Sequence, residues 1–363
     1  MNFPDIILNL LTSKESVSVS LRILSVFIGC GVILAIVAFI AGFSTYVERK
    51  ISAFIQNRIG PNRVGPYGLL QFVADGIKLI SKEDIIPKYG DSVLFRLAPY
   101  LVFTGAFCMY AVIPLGYALH MTQINVGLLY ILGVAGLVVI GILMGGWGSG
   151  NKWSVFGAMR SAAQMISYEI PEGVVFLTVI LITGTMQLDE IVNLQSGGIH
   201  RWIIFRYFPF TGFLFLIYYI TALAETNRTP FDIPEAESEL IAGYHTEYSG
   251  MRFAFFFLAE YASMLATSGI ATTLFLGGWC SPIGETILGG FILKGTKVGE
   301  IMKFFESLFW FFSKSLFLVL VMMWLRWTLP RYRVDQLMGL AWKVLLPMSL
   351  LLLFSVSVIK LID

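Results

Sequence analysis

Glu225-Thr-Asn-Arg-Thr-Pro-Phe-Asp-Ile-Pro-Glu-Ala-Glu-Ser-Glu-Leu-Ile-Ala-Gly-Tyr-His-Thr-Glu-Tyr-Ser249 lies between two strongly apolar segments. It carries the carboxylates Glu225, Asp232, Glu235, Glu237, Glu239 and Glu247 against Arg228 and His245. A plain turn needs no such charge. Pro234, the acids that follow it and Gly243 predict a short helix, with proline in its first turn, carboxylates near its positive end and glycine as its stop. Glu235 and Glu239 share one face of that helix, and Glu237 and Ile241 share another. Carboxylates held this close at a membrane surface repel one another and raise one another's proton affinity. Two readings stay open at this point: a proton-handling site, and a solvated acidic cap that docks a partner's basic patch.

The apolar segments on either side set the class. Of 363 residues 57% are apolar and only 13% are charged, against about 25% charged in ordinary soluble domains. The expected fold is therefore all-α and polytopic. Eight stretches approach the roughly 20 residues that a crossing needs, at about 21–46, 93–119, 125–147, 158–184, 203–224, 252–278, 305–327 and 340–360. The chain forms one membrane domain over residues 1–363, with polar connections at 47–91, 225–250 and 279–304. Its N-terminal residues do not form a cleavable leader pattern, because the first long apolar run begins only at Leu21.

Most of the 25 lysines and arginines fall after spans one, three, five and seven, including Arg49, Lys50, Arg58, Arg63, Lys78, Lys152, Arg228, Arg326 and Arg331. The positive-inside tendency puts these connections on the cytoplasmic or matrix side and both termini on the other. In the first of them, Leu69, Leu70, Val73, Ile77 and Ile80 recur at helical spacing, which predicts an amphipathic helix lying on the inner surface. Before it, Arg58-Ile-Gly-Pro-Asn-Arg-Val-Gly-Pro-Tyr67 sets two Gly-Pro pairs around Arg58 and Arg63, a rigid segment that suits either a shaped entrance or anchoring by phosphate-seeking arginines.

Span four holds Glu169 and Glu172 on one helix face beside Pro171, and Arg160 offers a partner for one of them. Glu260 in span six has apolar neighbours and no cation within one helical turn, and Glu225 closes span five. Glu48, next to Arg49 and Lys50, sits at the inner mouth of span one. Carboxylates in hydrocarbon mark a pathway, a relay or a pair. Together these acids form a candidate line of titratable groups from the inner surface toward mid-membrane.

Other chemistries are poorly served. Cys30, Cys108 and Cys280 are isolated, with no metal-ligand spacing, and His120, His200 and His245 are scattered over three connections with no nucleophile to serve. His245 sits among acids, and a solvent-exposed polar role is expected for it. Gly145-Gly-Trp-Gly-Ser-Gly-Asn-Lys152 lacks the phosphate-loop pattern and reads as the turn between spans three and four. No basic patch points to nucleic acid.

Four blocks taken together carry a resemblance: Glu48 through Lys78, Glu225 through Gly250, Gly145-Gly-Trp with Ser149 to Lys152, and Gln164 with Ser167-Tyr-Glu169. In these the chain resembles the H subunit family of respiratory NADH-quinone oxidoreductase, the counterpart of subunit one of mitochondrial complex I. The resemblance implies a membrane subunit beneath the peripheral arm that walls a quinone access tunnel and begins a proton path. For the tunnel and its entrance it implies Arg58, Arg63, Asp75, Glu225, Arg228, Asp232, Glu235, Glu237 and Glu239. For the proton path it implies Glu169, Glu225 and Glu260, to which the intramembrane charge argument adds Glu48 and Glu172. Quinone is the implied substrate, with flavin and iron-sulfur clusters held by partner subunits. The implied location is a bacterial inner (plasma) membrane, with the mitochondrial inner membrane as the alternative. The competing readings are a stand-alone proton or cation antiporter and a membrane anchor of a hydrogenase-type redox complex.

Overall fold

The computed structural model describes residues 3–5, 19–117, 119–233, 241–284 and 297–362. Among them are helices α1 (Val19–Ile55), α2 (Gln71–Ser81), α3 (Ser92–Cys108), α4 (Gly127–Gly148), α5 (Lys152–Thr183), α6 (Leu188–Leu194), α7 (Phe210–Glu225), α8 (Gly250–Phe275), α9 (Lys297–Thr328) and α10 (Val334–Ile362). No strand is named among the described residues. Seven of these helices are long and apolar enough to cross a membrane. The expected fifth span is shorter, because Pro209, which has no N–H to continue a helix, separates α7 from the single turn at Ile203–Arg206. The three glutamates Glu235, Glu237 and Glu239, and the helix expected at Pro234, lie outside the described residues, as do residues 285–296 of the connection at 279–304.

α1 runs 37 residues, nine past its expected end, or about 55 Å at 1.5 Å per residue. That exceeds a hydrocarbon core of about 30 Å, so α1 must tilt within the bilayer or extend beyond it. Its buried residues, Ser25, Gly29, Ile33, Val37, Ala41, Ser44, Glu48 and Ser52, recur every three or four positions. Glu48 therefore continues the stripe that packs inward. The expected amphipathic helix is α2, with Val73, Ile77 and Ile80 exposed and Phe72 set edge-on against Phe39 and Phe43 of α1.

Small residues bring the central helices together. A Cβ at Gly141 would stand 2.6 Å from Val102 Cγ2 and 3.0 Å from the Val102 amide nitrogen, and one at Gly105 would stand 2.8 Å from Val138 Cγ2. α3 and α4 thus approach as glycine permits in membrane bundles. The turn expected over 145–152 is shorter, since α4 continues through Gly145, Gly146 and Gly148 and only Ser149, Gly150 and Asn151 separate it from α5. Gly150 adopts φ 64°, and the Asn151 side chain caps α5 by accepting from the Trp153 amide at 3.0 Å.

The connections after spans one, three, five and seven gather on one face. Arg252 pairs with Asp84 at 3.1 Å, Asn151 donates to Glu247 at 2.8 Å, Ser249 donates to the Glu83 carbonyl at 2.9 Å, and the Tyr332 amide donates to the Pro230 carbonyl at 3.1 Å. The remaining connections meet at the other end, where Tyr117 N donates to Ser307 Oγ at 3.0 Å and Ile199 N to the Pro282 carbonyl at 3.0 Å. There the Lys314 ammonium donates to the carbonyls of Leu276, Gly278 and Cys280, occupying acceptors left open beyond the end of α8.

Gly141→Val should force α3 and α4 apart, an overpacking penalty of about 1–3 kcal/mol. Gly133→Ala, on the same helix with nothing within 4 Å of its added Cβ, should be neutral or slightly stabilising. Thermal midpoints of the two variants in detergent should separate accordingly.

Candidate functional site

The site begins where α7 ends. The Asn227 backbone turns at φ 49°, the Arg228 amide donates back to the Leu223 carbonyl at 3.3 Å, and the Phe231 amide donates to the Arg228 carbonyl at 2.8 Å. This tight turn drives Arg228 inward until only 1% of it is exposed. A buried guanidinium requires carboxylates, and two helices supply them. Arg228 Nη1 lies 2.6 Å from Glu48 Oε2 of α1, and Nε lies 2.7 Å from Glu260 Oε1 of α8. Its guanidinium also stands 4.5 Å from the centre of the Tyr261 ring. Tyr261 donates its hydroxyl to Glu48 Oε2 at 2.7 Å, and Arg326 of α9 bonds the other Glu48 oxygen. Burial opposes the charge on Arg228, but Glu260 and Glu48 more than offset it and hold the proton affinity above the usual arginine range.

This arrangement supplies partners that local spacing leaves open. Glu260, with no cation within one helical turn, takes its partner from a distant turn in the sequence. Glu48 faces inward, and its neighbour Arg49 pairs with Asp75 at 2.6 Å.

A second cluster lies alongside. Glu172 of α5, 4% exposed, lies against Glu225 at the end of α7, and Glu169 one turn earlier interacts electrostatically with both. Among the described residues no ion pair reaches Glu169, Glu172 or Glu225; the expected partner Arg160 lies elsewhere, beside Gln164 and Ile233. Nor does Pro171 interrupt the helix, because α5 continues through it to Thr183. Glu225 and Glu260 both line a cavity of about 30 Å³, together with Thr226, Asn227, Tyr244 and Ser263. Apolar side chains, among them Val102, Met109, Ile142 and Phe256, make up the rest of the wall. That volume holds about one or two water molecules. Glu225, which lies against Glu172, and Glu260 of the arginine cluster therefore meet at one small cavity of mixed lining.

The profile of the NADH dehydrogenase family matches residues 28–357. The H subunit of the NADH-quinone oxidoreductase of Chlorobaculum parvum is 51% identical over 311 residues, which cover 85% of this chain and 85% of the relative. That of Bacteroides fragilis is 45% identical over 331 residues, covering 90% and 89%, and that of Phocaeicola vulgatus is 43% identical over 356 residues, covering 97% and 96%. The chain belongs to the NADH dehydrogenase family.

In this NADH dehydrogenase family chain the remaining expected site residues do not form one cluster. Asp232 is 3% exposed and pairs with Arg331 at 3.0 Å. Arg58 and Arg63 are exposed on the first connection, where Arg58 donates to Gln56 Oε1 at 2.6 Å. His245 is buried rather than solvent-exposed, packed against Tyr244, Phe253 and Phe256. His120, one of the scattered histidines, is also buried and stands 3.7 Å from Asp189 on the opposite face. Tyr261, Arg326 and Arg331 are participants that spacing along the chain does not reveal. Tyr261 follows Glu260 directly, and position in the sequence marks the two arginines only as inner-face charge.

Arg228→Met should cost about 3–5 kcal/mol, because it strips buried carboxylates of their shared cation. Adding Glu260→Gln should recover part of that loss. The check is a double-mutant cycle on denaturation midpoints of the purified protein.

Proposed function

We propose that this chain is the membrane-embedded H subunit of a proton-pumping NADH-quinone oxidoreductase, that it walls the quinone access tunnel, and that its buried carboxylates begin the proton path. The observation that carries the proposal is that Glu225, which lies against Glu172, and the Arg228-paired Glu260 line one cavity. Isolated docking charges would have no reason to be buried together. Protons need donors and acceptors linked by hydrogen bonds, and carboxyls, a cavity with room for water and a tyrosine offer them.

In this reading the quinone tail reaches the inner face through the first connection, near Arg58, Arg63 and Asp75. The head is reduced between this face and the peripheral-arm subunits, close to Arg228, Asp232 and the acids Glu235, Glu237 and Glu239. Reduction changes charge beside the Arg228 cluster. In a low-dielectric interior that change is felt strongly by Glu48 and Glu260. A shift in their balance with Arg228 alters the field on Glu225 across the cavity, and the Glu225–Glu172 pair can take up or release its proton, with Glu169 next in line. The three cysteines of the chain are too few for an iron-sulfur cluster's four thiolates, so this reading assigns those clusters and the flavin to partner subunits. It also makes the face that gathers the arginine-rich connections cytoplasmic, in a bacterial plasma membrane.

Glu225→Gln and Glu172→Gln, each in the assembled complex, should leave NADH-to-quinone electron transfer measurable while proton uptake per electron falls by about tenfold or more. Proton translocation unchanged in both variants, with assembly verified, would overturn the proton-path assignment. Photo-crosslinking with a tailed quinone analogue should label residues 48–78 and 225–250, with the label lost on competition by native quinone. Quinone-competed label found only on other subunits would remove the tunnel assignment.

A further inference from the structure

Asn227 stands in the wall of the cavity that Glu225 and Glu260 share. Its backbone holds φ 49°, a conformation that asparagine and glycine tolerate better than other residues. The two ends of its side chain look different ways. Oδ1 accepts from Gln164 Nε2 at 3.2 Å and from Ser161 Oγ at 3.4 Å, and neither of those residues lines the cavity. Nδ2 stands 4.0 Å from Sδ of Met165, which does line it. The nitrogen is therefore the end turned to the cavity.

Backbone groups lock that orientation. Gln164 Nε2 also donates to the Ala224 carbonyl at 2.8 Å and the Phe231 carbonyl at 2.7 Å, and carbonyls can only accept. They fix which end of Gln164 is nitrogen, and a flipped Asn227 would then set one donor against another. An amide nitrogen carries two hydrogens and a thioether is a weak acceptor, so Asn227 keeps a donor for the contents of the cavity. Ser263, three residues after Glu260 on α8, lines the same cavity, and its hydroxyl makes no hydrogen bond among the described residues. The Thr226 hydroxyl, by contrast, is taken up by the Ala222 and Leu223 carbonyls of its own helix.

We propose that Asn227 is a positioning residue of the proton path, whose fixed amide donor, together with the Ser263 hydroxyl, holds the water that bridges Glu225 and Glu260. This inference rests on the proton-path reading above. The water oxygen accepts from Asn227 Nδ2 with one lone pair and from the protonated acid with the other. One of its hydrogens goes to the ionised acid and one to Ser263 Oγ, which gives the water four polar partners. When the first acid gives its proton to the water, the water passes one of its own to the second, so water is regained and only the two acids have exchanged a proton. The amide neither gains nor loses one. It fixes which way the water faces.

The test compares variants in the assembled complex by proton uptake per electron and by the solvent deuterium isotope effect on turnover. Asn227→Asp tolerates the same φ and keeps an oxygen for Gln164 and Ser161, but it puts oxygen where the amide nitrogen stood. Asn227→Gly keeps the turn and removes the amide. Proton uptake per electron should fall about tenfold in the first and about threefold in the second, the span that one hydrogen bond commands. The isotope effect should rise in both, as proton transfer becomes slower than electron transfer. A residue that served only the turn, or only the bond from Gln164, would leave Asn227→Asp equal to the unaltered chain in both readings, and that result overturns the proposal. Ser263→Ala, a change that helix propensity favours, should lower proton uptake about threefold. No change there overturns the water bridge even if neither Asn227 variant assembles. Loss of translocation in Glu225→Gln with none in these variants removes the role of Asn227 alone, whereas no loss in Glu225→Gln removes the proton-path reading and this inference with it.

Discussion

The buried guanidinium of Arg228 constrains the inner half of the molecule. A charge with 1% exposure is tolerable only if carboxylates surround it, and the two that do so come from α1 and α8. The turn at 226–231 exists in its observed form because it delivers that side chain to them. Arg326 and Tyr261 then satisfy what remains of Glu48. One arginine therefore fixes the relative placement of α1, α7 and α8, with α9 joined through Glu48.

The same cluster gives the proposed coupling a physical basis. Ion pairs in a low-dielectric interior respond to nearby charge more strongly than pairs at a surface. Glu260 belongs to the arginine cluster and also lines the small cavity, while Glu225 lines that cavity and lies against Glu172. A perturbation of Arg228 thus has a short route through that cavity to a pair of buried carboxyls. The arrangement favours transfer along the line of acids over their use as a docking surface, since a docking surface has to be exposed.

The two ends of the bundle are built differently. On the face that gathers the arginine-rich connections, the ion pairs Arg252–Asp84 and Arg331–Asp232 join the connections together with hydrogen bonds such as Asn151–Glu247. At the other end a single lysine, Lys314, draws together three carbonyls, and Gln195 bonds the Thr273 carbonyl at 2.9 Å and the Gly277 amide at 3.1 Å. Ion pairs suit a surface that meets other polar subunits. Neutral or singly charged caps suit helix ends close to hydrocarbon, where each open carbonyl costs more.

Much of the fold could be read directly from the chain. Long apolar runs can be stable only as helices when water is absent, so the spans and the surface helix α2 follow from composition and spacing, whereas the turn expected at 145–152 is confined to 149–151. The identities of the acids were also legible, because a carboxylate in hydrocarbon is costly enough to mark a function wherever it occurs. Their partners were not. Sequence neighbours suggested Arg160 for Glu169 or Glu172 and no cation near Glu260, whereas the structure joins Glu48 and Glu260 through Arg228 and sets Glu172 against Glu225. Periodicity reports which face of a helix turns inward, but which helices then meet, and at what depth, depends on packing between segments far apart in the chain. The sequence by itself determined the helices and the charges they bury; only the tertiary structure decided which charges share a partner and which carboxyls lie against each other, because those choices are made by contacts that local spacing does not encode.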